Sequence, residues 1–512
     1  MTSAERFRKL ISIHDGEADL KRRVVRGGAF AMAAEAMEFV LRLTSIVILA
    51  RLLVPEHFGL IGMVTAITAI AERFKDFGLG IATVQRQDIT HEHVSTLFWV
   101  NAGIGMALVL LVGALAFPIA RFYDDDRLFH ITLAIASGFL WSGITIQHQA
   151  LLRRQLKFAQ IGVIQVVASG LSIAVAVGLA VTDFGYWALV GREVSRNLFV
   201  AIGTWACLPW IPGAPSRQVE VRSMLSFGGD VTAFNLVWFL ATNVDQILIG
   251  KFFGAVPLGL YRQGISLVLA PMNQMTYPVH SIAESAMSRL QGDPEKYRRY
   301  YIRIVSTLSL VTMPLAAFLG VFAEEVVLVA LGERWIAAAE FFRILAVAAF
   351  MRPAASTAGF VMLSSGESRR YLWCGLFGAL SLSAFVVLGI RWGPSGVAYG
   401  HVAATYLLLI PMLYWGLWGT PVRVSDFVAS VRKPIVASVL MAGVLYALKQ
   451  GAFTLGPFGS LALGSIAGFI AYFGTWLILP GGRAELARMV ADLAPLFGLA
   501  GVSGSSKEKE GP

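Results

Sequence analysis

Charge is what this chain has least of. Asp, Glu, Lys and Arg make up 14% of its 512 residues, against about 25% in a soluble globular protein, too few to cover a water-facing surface. Cysteine is almost absent as well. Cys207 and Cys374 both lie in apolar segments, so neither a disulfide framework nor a thiolate metal site is expected, and the redox compartment stays open. There is no Gly-x-x-x-x-Gly-Lys-Ser/Thr loop, which excludes a built-in ATP engine of that type. No His/Cys group has metal-ligand spacing, and no polar stretch is long enough to fold separately or to house a polymerase or ligase site. Enzymatic function and a cofactor are therefore not expected.

What the chain does have is apolar sequence. Hydrophobic residues account for 56% and mean hydropathy is +0.67. They fall in runs of about 18–25 residues, the length that crosses about 30 Å of hydrocarbon as a helix. The expected architecture is an all-α polytopic membrane protein of about fourteen transmembrane helices. The spans are read at 28–50, 57–83, 94–119, 128–151, 158–181, 185–208, 223–250, 257–287, 304–323, 337–363, 371–390, 396–417, 434–448 and 457–480.

The net charge of +10 sits in loops between these runs, so it reads as a topology signal and as contacts with anionic lipids, not as a nucleic-acid surface. With the N-terminus inside, about 27 Lys and Arg fall in cytoplasmic segments and about 7 in external ones. Both ends are therefore expected in the cytoplasm. Residues 1–27 are basic without an apolar core, and the first run already holds Glu35, Glu38 and Arg42, so a cleaved signal peptide is not expected.

A short repeat divides the chain. Ala50-Arg51-Leu52-Leu53 leads to Phe58-Gly59-Leu60; 200 positions later, Gly250-Lys251-Phe252-Phe253 leads to Leu258-Gly259-Leu260. An offset of six helices predicts a parallel duplication, with six-helix bundles at 28–208 and 223–417, two extra helices at 434–480, and an interfacial helix and disordered tail over 481–512. A shared need for glycine in tight hairpins is the simpler alternative.

Ionisable residues inside spans are costly unless they face protein or water. Glu35, Glu38 and Arg42 share one helical face, either as an internal ion pair or as the wall of a hydrated cavity. Arg192 and Arg196 stand one turn apart, incompletely neutralised by Glu193, and a doubled arginine face suits phosphate or pyrophosphate. Arg262, Arg343 and Arg352 add three more cations; if all six arginines share a cavity, it attracts a large anion. Asn235, Asn243, Gln246, Asn273 and Gln274 are candidates for sugar hydroxyls, or for interhelical hydrogen bonds. Asp245, with Glu35 and Glu38, is an acidic candidate for ion coupling. Pro271 and Pro278 are expected to interrupt the eighth span, and Asp76, Gly78 and Gly80 to mark a break at the end of the second, in a gating or structural role.

Several stretches together resemble a known family: Phe58-Gly59-Leu60, Asp76-Phe77-Gly78-Leu79-Gly80 with Gln85-Arg86, the run from Ala150 to Phe158, and Asn243 to Gly250 with Leu258-Gly259-Leu260-Tyr261. They are similar to the polysaccharide exporters and Wzx-type flippases of the multidrug/oligosaccharidyl-lipid/polysaccharide superfamily. The resemblance implies two six-helix bundles around a central cavity, alternating access, and a polyprenyl-pyrophosphate-linked oligosaccharide as substrate, moved across the bacterial inner membrane for exopolysaccharide, capsule or lipopolysaccharide synthesis. It also implies coupling to a proton or sodium ion, and partners among other polysaccharide-synthesis membrane proteins. The family has no shared catalytic signature to carry over. The alternatives are a cation-coupled multidrug exporter of the same superfamily and a non-transporting membrane scaffold.

Overall fold

The computed structural model describes residues 17–75, 78–86, 88–216, 243–451 and 456–493, and every regular element among them is helical. Of the expected site residues, Asp76 and Asn235 lie outside the described residues. Two compact units emerge: one runs to Arg262 and includes Ala330–Trp335, and the other comprises Gln263–Val329 and the chain from Ile336 onward.

The first unit contains α1 (Glu17–Leu52), α2 (Pro55–Phe74), α3 (Leu79–Gln85), α4 (His91–Tyr123), α5 (Arg127–Arg154), α6 (Phe158–Val181), α7 (Trp187–Cys207) and α8 (243–253), and the start of α9 (Ala255–Arg289). The second holds the rest of α9, then α10 (Pro294–Val321), most of α11 (Ala323–Ala330), α12 (Ala338–Ala355), α13 (Thr357–Ser364), α14 (Ser368–Gly389), α15 (Gly393–Leu407), α16 (Leu409–Leu417), α17 (Val424–Gly451), α18 (Pro457–Ile478) and α19 (Gly482–Leu493).

Local chemistry sets several boundaries. Thr90 caps α4 by accepting from the His93 amide at 3.3 Å, and Asp293 caps α10 by accepting from the Lys296 amide at 3.0 Å, with Pro294 in the first turn. After α2 the chain stops at Phe74 and restarts at Leu79, with Gly78 at φ +69° supplying the left-handed turn. The break expected around Gly78 and Gly80 is present.

The eighth span differs from expectation. α9 is one continuous helix through Pro271 and Pro278, so the prolines do not interrupt it. Each removes one backbone donor, and the loss of single bonds is tolerated where neighbours or side chains satisfy the freed carbonyls. The tenth and twelfth expected spans are instead each divided, at Ser356 and at Leu408.

Among the described residues, eight helical stretches are long and apolar enough to cross a membrane, and one of them, Arg369–Leu417, contains two of the expected spans. The chain is thus a multi-pass membrane protein. Absent from those eight are α1, α2, α7 and α9, and α1, α7 and α9 carry Glu38, Arg42, Arg192, Arg196 and Arg262. Their polar faces lower their hydropathy; the same residues make the site.

The repeated hairpins pack against one another. A side-chain carbon added at Gly59 would stand 2.5 Å from the Ala255 carbonyl carbon; one at Gly259 would stand 2.9 Å from that of Pro55. Residue 59 meets 255 and residue 259 meets 55, the reciprocity of a two-fold contact.

Candidate functional site

In the first unit, α1, α6 and α7 enclose a cavity of about 240 Å³ lined by Glu38, Arg42, Ser45, Ser169, Ser172, Ile173, Arg192, Glu193 and Arg196. Three of the six expected arginines meet here. Glu38 does not pair with Arg42 on its own helix. It reaches across to Arg196, whose Nη2 donates to both carboxylate oxygens at 3.1 and 3.4 Å. Ser169 Oγ donates to Glu38 Oε1 at 2.6 Å, and Arg196 also donates to Gln165 Oε1 at 3.1 Å. Arg192 donates to Ser45 Oγ at 3.0 Å.

Arg262 belongs to the same unit. Its Nη1 donates to Thr65 Oγ1 at 2.7 Å, and its charge interacts with those of Arg192 and Glu193. Four arginines thus gather within one electrostatic neighbourhood, against the carboxylates of Glu38 and Glu193. Glu35 is exposed on α1 and does not line the cavity.

Gln246 donates to Asn243 at 3.2 Å, while the Asp245 carboxylate is buried and accepts from the Tyr261 hydroxyl at 2.6 Å and the Gln246 amide at 2.8 Å. In the second unit, Asn273 is exposed and Gln274 half-buried on α9. Arg343 is exposed and donates to Glu324 at 2.6 Å, on the wall of a cavity of about 920 Å³ whose lining is mainly apolar; Arg352 is exposed on α12.

Sequence reasoning missed the neutral half of the site. Gln165, Ser169 and Ser172 form a polar stripe at helical spacing in the otherwise apolar α6, and that stripe was the available signal. Its role is to hold the charged groups: Ser169 bridges Glu38 and Arg196, its hydroxyl also accepting from Arg196 Nε at 3.3 Å.

The donor set suits a tetrahedral oxyanion. Guanidinium groups present paired N–H donors that match phosphate oxygens two at a time, and they keep their charge when buried.

Comparison with known proteins bears on the family and the fold. The chain is 27% identical over 420 residues to the teichuronic acid biosynthesis protein TuaB of Bacillus subtilis (strain 168), a match covering 79% of this chain and 85% of that protein. It is 24% identical over 445 residues to the lipopolysaccharide biosynthesis protein WzxC of Escherichia coli (strain K12), covering 84% and 88%. The fold matches that of the lipid II flippase MurJ in an inward closed conformation, with a TM-score of 0.72 at 14% identity over 88% of this chain and 98% of the other. Residues 48–340, more than half of the chain, match the family described as "Polysaccharide biosynthesis protein", and the chain belongs to that family.

Proposed function

We propose that this protein is a flippase that moves a polyprenyl-pyrophosphate-linked oligosaccharide across the bacterial inner membrane by alternating access, supplying envelope or secreted polysaccharide synthesis. The observation that carries the reading is the gathering of Arg42, Arg192 and Arg196 around one cavity, with Arg262 in electrostatic reach. Four guanidiniums against two carboxylates leave an excess of positive charge that one diphosphate would neutralise. The relatives named above serve teichuronic acid and lipopolysaccharide biosynthesis, and the matching fold belongs to a lipid II flippase.

In this reading the fourteen-span topology, with cytoplasmic ends and bundles at 28–208 and 223–417, frames the transport path. Asn243, Gln246, Asn273 and Gln274 meet the sugar, and Glu38 or Asp245 couples movement to a proton or sodium ion. A cation-coupled drug exporter is disfavoured by the cationic balance of the cavity, which repels a cationic drug.

The test is transport of a lipid-linked oligosaccharide in proteoliposomes. Replacing Arg192 and Arg196 together by Ala is expected to cut the rate at least tenfold while leaving the protein folded in detergent. An unchanged rate refutes the anion role.

A further inference from the structure

The arginines of the first unit are not equally engaged. Among the described residues Arg42 and Arg192 carry no ion pair, and Arg192 meets only the hydroxyl of Ser45. Of the arginines lining the cavity, Arg196 alone is in an ion pair among the described residues. Glu38 lies against its Nη2 with both oxygens, and Ser169 fixes that carboxylate by donating to Oε1 while accepting from Arg196 Nε. The Nε–Nη2 edge of a guanidinium is one that a phosphate group uses for two parallel hydrogen bonds. Glu38 and Ser169 already occupy that edge.

We propose that Glu38 is a built-in competitor for the phosphate-type anion: its carboxylate holds Arg196 while the site is empty and is displaced when the anion binds. The inference rests on the reading of the cavity as a diphosphate site and adds a sequence of events to it. One set of N–H donors cannot serve two anions, so Glu38 must swing away as the ligand's oxygens arrive. The pair is only partly enclosed, with side-chain exposures of 36% for Arg196 and 15% for Glu38. A pair open on its arginine side is reached by an incoming anion without unpacking the helices, and is therefore displaceable. Gln165 and Ser169 stay in place to receive whichever partner leaves, since both already bond Arg196. Arg42 and Arg192, unpaired with carboxylate, make the first contact with the anion, and Arg196 is recruited last. On release the order reverses: Glu38 recaptures Arg196 and weakens the hold on the anion. A flippase that bound its diphosphate with all its arginines permanently available would turn over slowly, because affinity is mostly set by the rate of leaving.

The experiment measures binding of inorganic pyrophosphate to the full-length protein in detergent by calorimetry, at constant ionic strength. Glu38→Gln removes the competing charge but keeps an oxygen that can accept from Ser169; binding is expected to tighten about tenfold, or about 1.4 kcal/mol. Arg196→Ala weakens binding. In the Arg196→Ala background, Glu38→Gln gains nothing, because the group they contest is gone. Glu38→Asp withdraws the carboxylate by one methylene without changing charge and recovers part of the gain, which guards against a misfolded Gln variant. In proteoliposomes Glu38→Gln transports more slowly despite its tighter binding. If Glu38→Gln binds pyrophosphate no better than wild type while Arg196→Ala weakens binding, the competitor role is overturned and the anion site stands. If neither substitution changes binding, both fall.

Discussion

Gly59 offers a severe test of how the repeated hairpins are joined. A methyl group there would stand 2.5 Å from the Ala255 carbonyl carbon and 2.8 Å from its Cα. Ordinary carbon contacts begin at about 3.5 Å, so the two backbones must part by about 1 Å or more. Neither side can yield by changing a rotamer, because the atoms met are main chain. Overpacking of this kind costs typically about 1–3 kcal/mol, and a backbone clash belongs at the upper end. Opening the crossing would also disturb the bond from Arg262 to Thr65, two turns further along α2. Gly59→Ala is therefore expected to lower the unfolding midpoint in detergent by about 3 °C for a chain of this length, followed by the intrinsic fluorescence of the 12 tryptophans. Gly259→Ala meets Pro55 in the same crossing and should behave alike, with the double variant costing less than the sum. Gly443 is the control: it is exposed on α17 with nothing within 4 Å of an added carbon, so Ala there is neutral or stabilising. A Gly59→Ala midpoint equal to that of Gly443→Ala would refute the reasoning.

Two further outcomes follow from polar contacts at helix ends, beyond the expected spans 128–151, 304–323 and 434–448. Arg298 donates to both oxygens of Asp426 and, with the Arg423 amide, holds that carboxyl below the usual range. A depressed value gives stability that is complete above the ordinary carboxylate pKa of about 4 and is lost as pH falls through the native value. The midpoint of Asp426→Asn should accordingly be less dependent on pH below 4 than that of wild type; parallel profiles would contradict this. Arg154 Nη1 donates to the carbonyls of Thr83, at 3.0 Å, and of Val84 and Arg86, closing the end of the seven-residue α3. Arg154→Ala should speed amide exchange over 79–86 about tenfold, the loss of roughly one charged hydrogen bond, and exchange at the wild-type rate would show that the cap is idle.

The apolar runs made the membrane architecture legible, because span length follows from bilayer thickness and needs no tertiary information. The arginine site was legible in part for a related reason: charge inside a span is rare enough to be noticed one residue at a time. Partner choice was not. Glu38 and Arg42 are three-dimensional neighbours on one helix by spacing alone, yet Glu38 serves Arg196 on α7, since Ser169 of α6 fixes the carboxylate on that side. Spacing along a helix gives the face but not the helix opposite. The prolines of α9 misled for the converse reason. A proline forbids one hydrogen bond locally, and whether the helix continues depends on neighbours that the sequence does not place.

The 200-residue offset carries a consequence for the arginines themselves. If residues 59 and 259 are equivalent, so are 62 and 262, and the structure sets those two against each other: a carbon added at Gly62 would stand 3.2 Å from Arg262 Nη1. Strict symmetry would place two arginines or two glycines there. Two guanidiniums at that separation would repel in a poorly screened interior, and two glycines would leave no cation. The chain has glycine at 62 and arginine at 262, and the arginine's guanidinium turns toward Thr65 on the glycine-bearing helix. If the chain arose by duplication, the departure from symmetry at this position is what leaves a cation in the joint. Gly62→Ala should consequently be milder than Gly59→Ala, because it presses on the far end of a flexible side chain, and it should alter pyrophosphate affinity more than the unfolding midpoint. A variant that melts as early as Gly59→Ala with unchanged affinity would place Arg262 in the packing and outside the anion site.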